Sequence, residues 1–408
     1  MPSNSHSRIA RRQPLQLVAF AAVVAALTGC ASGHEHQAPR PRPNAESAAP
    51  PPADISDRLE PIRQKHSVPA LAVAVIQKDR LVALGAVGVR KHASPETVTT
   101  ADRFHLGSDT KAMTATMLAM LVEQGRLRWD TTLAEAFPDL RETMHPDYRA
   151  VTLEQLLQHR GGTPADLTRD GLWARLCKRE GTPREQRELL AKTVLSWPSA
   201  KPPGTEFLYS NAGYAIAGVM AERASGEAWE DLMRQMLFEP LGMASAGFGA
   251  PGMPGVIDEP RGHAVGWLLT TPMEPGPAAD NPPAIGPAGI VHCSLPDWAK
   301  FIRAHLRGER GGSGLLKPES FVRLHTPPPS GDYALGWGVM ESAAEGRCLS
   351  HAGSNTMWFV RAWLALDRDY AVLVATNIGG TAGERATGDA ISELIRWVRE
   401  QTPGSAGR

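Results

Sequence analysis

Apolar residues recur along Ser108 to Arg126 at Met113, Met117, Met120 and Leu121, the spacing of one buried helical face. Upstream, the same kind of pattern predicts a helix over Asp57 to His66. Two strands follow, Leu71 to Gln77 and Leu81 to Val89, the second running into a turn at Lys91 to Pro95. Beyond the Ser108 helix a long, mostly helical stretch reaches about Leu306. Short apolar runs at Tyr333 to Met340, Cys348 to His351, Trp358 to Leu366 and Ala371 to Thr376 then read as successive strands with short turns, which suits an antiparallel meander. Glu384 to Glu400 closes the chain as an amphipathic helix. Strands at both ends with helices between imply an α/β (α+β) fold. Its antiparallel sheet is built from both chain ends and flanked by helices, with a mostly helical lobe inserted.

The N-terminus predicts location. Arg8, Arg11 and Arg12 precede an apolar run, Leu15 to Leu27, too short to span a bilayer permanently, and this reads as a secretory signal. The run ends in Leu27-Thr28-Gly29-Cys30, which closely resembles the bacterial lipobox, in which the cysteine becomes the lipidated first residue. The alternative is a non-lipidated signal cleaved at a small residue near Ala31. The Pro-, Ala- and Ser-rich stretch that follows has little to bury and reads as a disordered tether. The expected organisation is a signal over 1–29, a tether over 30–55, a folded domain over 56–400 and a disordered tail over 401–408. The expected location is the bacterial cell envelope, with the domain lipid-anchored and facing the periplasm, the outer membrane ahead of the inner.

Charge narrows the partners. The 43 basic residues are matched by 43 acidic ones, which gives no electrostatic argument for nucleic acid and favours a small-molecule or peptide substrate. With Cys30 lipidated, Cys177, Cys293 and Cys348 remain, an odd number that permits at most one disulfide without saying which. No cysteine pair has zinc-ligand spacing and no glycine-rich nucleotide loop occurs, so no metal or cofactor is expected.

Three short motifs carry the candidate chemistry: Ser108-Asp109-Thr110-Lys111, Tyr209-Ser210-Asn211 and His351-Ala352-Gly353. On a helix Ser108 and Lys111 are neighbours about 5–6 Å apart at Cβ. The helix N-terminus would offer unpaired N–H groups beside Ser108, and Gly107 would let substrate approach the backbone. Lys111 can serve as a base only if burial or neighbouring cations lower its pKa. No other serine has a lysine three residues on, and no other tyrosine an asparagine two residues on. His-x-Gly is less selective, since His105 and His159 match it too. Each piece also has a plainer reading: Ser210 or Asn211 as the cap of the apolar helix that follows, and His351 as a strand-end residue.

Together these motifs resemble the serine β-lactamase and penicillin-binding protein family, which carries Ser-x-x-Lys as its signature. Tyr-x-Asn resembles the class C β-lactamases and the related esterases and D-amino-acid peptidases. His-x-Gly, in place of Lys-Thr-Gly, resembles their non-lactamase relatives. The similarity extends over roughly residues 56 to 400 and implies a β-lactamase/transpeptidase-like fold. It implies Ser108 as nucleophile, Lys111 as base or electrostatic partner, and Tyr209 as a phenolic relay whose pKa Lys111 lowers. Asn211 would hold Lys111 and a substrate carbonyl. His351 and Gly353 would line the opposite wall from an edge strand, and the backbone N–H groups of Ser108 and Ser354 would form the oxyanion hole. The implied activity is hydrolysis through an acyl-enzyme of an ester, a D-amino-acid peptide or amide, or a β-lactam, in that order. The alternative is a catalytically silent envelope lipoprotein that binds peptidoglycan fragments or a partner.

Overall fold

The computed structural model describes residues 50–266 and 270–401. The signal, Cys30 and nearly all of the tether and tail lie outside the described residues. At its C-terminal end the tether reading is corrected. Strand β1 (Ala53–Asp54) pairs in parallel with the sheet, so the folded body begins two or three residues earlier than the composition suggests.

The main sheet does assemble from both chain ends. Its strands are β1, β2 (Ala70–Gln77) and β3 (Arg80–Gly88) from the first part, with β9 (Gly338–Ser342), β10 (Gly346–Ser354), β11 (Phe359–Ala365) and β12 (Tyr370–Thr376) from the last. The order is β1-β3-β2-β12-β11-β10-β9, antiparallel except at β1. The central strands β2 and β12 are almost wholly apolar because both their faces are covered. Leu71, Val73 and Val75 join one core with Val372 and Val374. Ala70, Ala72 and Ala74 join the other with Leu373 and Ala375. The predicted strand at Tyr333 to Met340 is displaced to Gly338–Ser342, and the one at Cys348 to His351 is longer on both sides.

Among the described residues, six helices reach eleven residues or more. They are α1 (Ser56–His66), α2 (Thr110–Glu123), α3 (Pro183–Leu195), α4 (Asn211–Ser225), α5 (Leu295–Gly308) and α6 (Gly380–Glu400). Helices α1 and α6 cover one face of the sheet, while α2 and α5 lie on the other. Helix α2 departs from the one-faced reading: every residue from Thr110 to Leu121 is buried. It runs through the interior between sheet and helical lobe, so its apolar stripe is only the part of its surface that periodicity could show.

The middle of the chain is less helical than its pattern suggests. It contains a second sheet, β4 (Arg103–His105), β5 (Gly247–Phe248) and β8 (Val291–Ser294), and a hairpin of β6 (His263–Val265) and β7 (Thr270–Pro272). Strands of two to four residues are too short to display an alternation. Cys177, Cys293 and Cys348 are all free thiols.

Candidate active site

Ser108 lies in a single 3-10 turn, Gly107–Asp109, that leads into α2. The last residues of β10 press against this turn. A Cβ on Gly107, whose φ is +49°, would lie 2.4 Å from the Ser354 backbone nitrogen, and one on Gly353 would lie 2.0 Å from the Leu106 carbonyl. The space at Gly107 therefore admits Ser354, not substrate as its position before the serine suggested. This contact sets the Ser354 backbone N–H beside Ser108, as an oxyanion hole of these two residues requires. Strand β10 lies inside the sheet, but β9 pairs with it only as far as Ser350, so His351 to Ser354 form a locally open edge.

Lys111 is fully buried, and its Nζ lies 3.1 Å from Ser108 Oγ, 2.8 Å from Asn211 Oδ1 and 2.8 Å from the Ala288 carbonyl. Burial lowers its pKa to about 7, against a smaller opposing pull from Asp109. Two of its three partners, the Asn211 and Ala288 oxygens, can only accept. A neutral Lys111 must spend both its hydrogens on them, which aims its lone pair at the one partner able to give a proton, the Ser108 hydroxyl. The geometry thus equips a neutral Lys111 to accept the Ser108 proton.

Tyr209 and Ser210 sit just before α4. Ser210 does cap that helix, its Oγ accepting from the Gly213 N–H at 3.3 Å, so the plain reading of this motif holds, and it leaves Tyr209 and Asn211 free to face Ser108 and Lys111. The Lys111 ammonium lies 4.7 Å from the Tyr209 ring centre, and the Tyr209 hydroxyl meets that of Ser108. The expectation of a lowered phenol pKa is overturned. Burial pushes Tyr209 well above its ordinary value, because Lys111 faces the ring rather than the oxygen and is itself half-neutral near pH 7. Tyr209 is a neutral hydroxyl, suited to passing protons rather than holding a phenolate.

His351 is buried, its Nε2 2.9 Å from the Tyr333 hydroxyl and its Nδ1 3.8 Å from Asp109 Oδ2. It is held by Tyr333 on one side and faces the buried Asp109 on the other, so it does not stand free to receive a substrate carboxylate. The structure also adds residues that the motif reading passed over. His159 accepts the Ser210 N–H on Nδ1 at 3.1 Å, with its ring centre 4.2 Å from that of Tyr209, and burial holds it well below the ordinary histidine pKa. Around it stand Tyr214, Tyr333 and the exposed Phe207. His159 had matched His-x-Gly; Tyr333 and Tyr214 carried no motif. Among the described residues no cluster of histidine, cysteine or carboxylate could hold a metal ion.

The pattern of the Beta-lactamase family matches residues 55–395. The chain belongs to that family. Penicillin-binding protein 4 of Amycolatopsis lactamdurans is 34% identical over 258 residues, which cover 62% of this chain and 64% of that one. The unguisins hydrolase ungD of Aspergillus violaceofuscus is 27% identical over 311 residues, covering 66% and 51%. The chain thus spans about half to two thirds of the length of these curated relatives. The octameric penicillin-binding protein homologue from Pyrococcus abyssi matches the fold with a TM-score of 0.68 at 23% identity, over 83% of this chain and 76% of that one. The β-lactamase/transpeptidase-like fold read from the sequence is this one.

Proposed function

We propose that this member of the family is a serine hydrolase that works through an acyl-enzyme on Ser108. The observation that carries the reading is the Lys111 ammonium, buried between two oxygens that can only accept and the one hydroxyl that can donate. Neutral Lys111 takes the Ser108 proton as Oγ attacks the acyl carbon. The oxygen that gains charge meets the N–H groups of Ser108 and Ser354, and Tyr209 hands its proton to the leaving group while taking up the one Lys111 received, so that both groups are neutral again for the water step. Water then repeats the sequence in reverse to free the acid and restore Ser108.

An ester ranks first as substrate, a D-amino-acid peptide or amide next, and a β-lactam last. His351 is buried and turned to Tyr333 and Asp109, so the third motif offers no free cation to a substrate carboxylate. The names of two relatives, a penicillin-binding protein and a hydrolase of unguisins, support hydrolytic acyl chemistry without choosing among these. The apolar run ending at Cys30 supports a lipid tether to the envelope. Cys30→Ser should release the protein from membranes, and unchanged fractionation would count against the tether.

Time-resolved intact-protein mass spectrometry with an activated ester and with a penicillin, using Ser108→Ala as control, tests the reaction. A short-lived adduct on Ser108 from the ester supports the proposal. Turnover at near-normal rate by Ser108→Ala would sink it.

A further inference from the structure

Asp109 stands between the nucleophile and its base in sequence, yet its carboxylate has no place in the acyl-transfer steps. It is buried, and neither oxygen has a hydrogen-bond partner. Its Oδ2 points into the space left by Gly353, where a Cβ would lie 2.6 Å away, and 3.8 Å from His351 Nδ1, which is also buried and unpartnered. An ionised carboxylate so placed is expensive unless something close by compensates it.

The protons of the neighbouring chain can be counted. The Leu157 carbonyl only accepts, so the Tyr214 hydroxyl, 2.8 Å away, donates to it. The Tyr214 oxygen is therefore left to accept from Tyr333. Having given its proton there, Tyr333 can only accept at the 2.9 Å contact with His351, so Nε2 of His351 carries a hydrogen. A neutral imidazole protonated at Nε2 turns the lone pair of Nδ1 toward Asp109. Two buried acceptors would then face each other 3.8 Å apart.

We propose that Asp109 and His351 hold one proton between them, on Nδ1 or on the carboxyl, and that this proton cancels the carboxylate's charge next to the Lys111 base. Lys111 from α2 and Arg361 from β11 also face Asp109, and His159 faces His351. Burial keeps His159 neutral, so it supplies no competing charge. A bare Asp109 anion pulls the Lys111 pKa up, so cancelling its charge leaves more of the base neutral, which makes Asp109 and His351 positioning residues for the charge state of Lys111. Only this last consequence rests on the hydrolase reading.

The test is NMR of the full chain carrying ¹⁵N-labelled histidine and ¹³C-carboxyl-labelled aspartate at neutral pH. His351→Gln and Asp109→Asn assign the two resonances by difference. The expected result is a protonated Nε2 together with a second proton on Nδ1 or on the Asp109 carboxyl. An ionised Asp109 beside a singly protonated imidazole, whichever nitrogen carries the hydrogen, overturns the proposal even if the wild-type protein is an active hydrolase. No substrate is needed, so a failed activity assay leaves the result intact. In turnover, Asp109→Asn should leave the acid limb of kcat/KM where the wild type has it, because the charge of the carboxylate is already cancelled there. A limb that falls in Asp109→Asn would show an ionised carboxylate pulling on Lys111 in the wild type and refute the cancellation.

Discussion

A Cβ placed on Gly107 would lie 2.4 Å from the backbone nitrogen of Ser354, with that residue's carbonyl carbon and Cα at 2.7 and 2.8 Å. The nucleophile turn and the end of β10 are thus fitted backbone to backbone, with no flexible side chain able to give way. Gly107→Ala must push β10 off the turn while also straining a φ of +49°, a strain of about 1–3 kcal/mol. If Ser354 supplies an oxyanion donor, kcat should fall by about 10²–10³-fold. Steady-state kinetics beside a thermal melt make the check: a normal kcat in a destabilised protein would remove β10 from the catalytic wall.

The lowered pKa of Lys111 predicts two pH dependences. Only neutral Lys111 accepts the Ser108 proton, so kcat/KM should rise with pH through about 7 and then level. For stability, the unfolded chain keeps the lysine proton up to its ordinary value of 10.5, while the folded chain gives it up near 7. Between these values the unfolded state binds more protons, so stability should increase as pH rises through that window, with the whole penalty present below it. Lys111→Met should abolish turnover and flatten this slope. Urea unfolding at several pH values reads it, and an unchanged slope in the variant would show that Lys111 is not its source.

Tyr209 is kept neutral by burial, which predicts a loss of rate without a displaced pH limb. Tyr209→Phe should lower kcat by about 10²–10⁴-fold, as expected for a proton-transfer group. The acid limb of kcat/KM should stay where Lys111 puts it. A limb that moves with Tyr209→Phe would instead make the phenol part of the titrating base.

What the sequence displayed was what lies close together along it. Ser108 and Lys111 share one helical turn, and Tyr209 and Asn211 flank a helix cap, so fixed spacing revealed them. Five of the seven strands of the sheet showed in the same way, as apolar runs bounded by turns, while β1 was read as tether and β9 was placed too early. Ala288 was not legible as the partner of Lys111, because a backbone carbonyl has no sequence signature and lies 177 residues away. Nor was the chain from Leu157 through Tyr214 and Tyr333 to His351 and Asp109, whose members come from five separate stretches and meet only by packing. The Tyr209 pKa went astray for a related reason. Spacing placed a cation near the tyrosine, but its sign of effect depends on burial and on which part of the ring it faces.

Arg187 supplies a test that separates stability from catalysis. It is fully buried and bridges Glu222 of α4 at 2.7 Å and Glu230 at 2.6 Å, while also donating to the Pro283 carbonyl at 3.1 Å. The segment it steadies runs on to Ala288, the acceptor for Lys111. Arg187→Met leaves Glu222 as a buried charge without its counter-ion and should lower unfolding free energy by about 3–5 kcal/mol. Glu222→Gln in the same chain removes that stranded charge and should recover part of the loss, since the two residues share one network. In whatever folded fraction remains, the acid limb of kcat/KM should stay near that of the wild type, because Lys111 keeps its burial and its three partners. A double-mutant cycle in urea gives the first result and a pH profile the second. Strictly additive losses would show that the pair is not coupled, and a shifted limb would show that the 283–288 segment transmits the disturbance to the base.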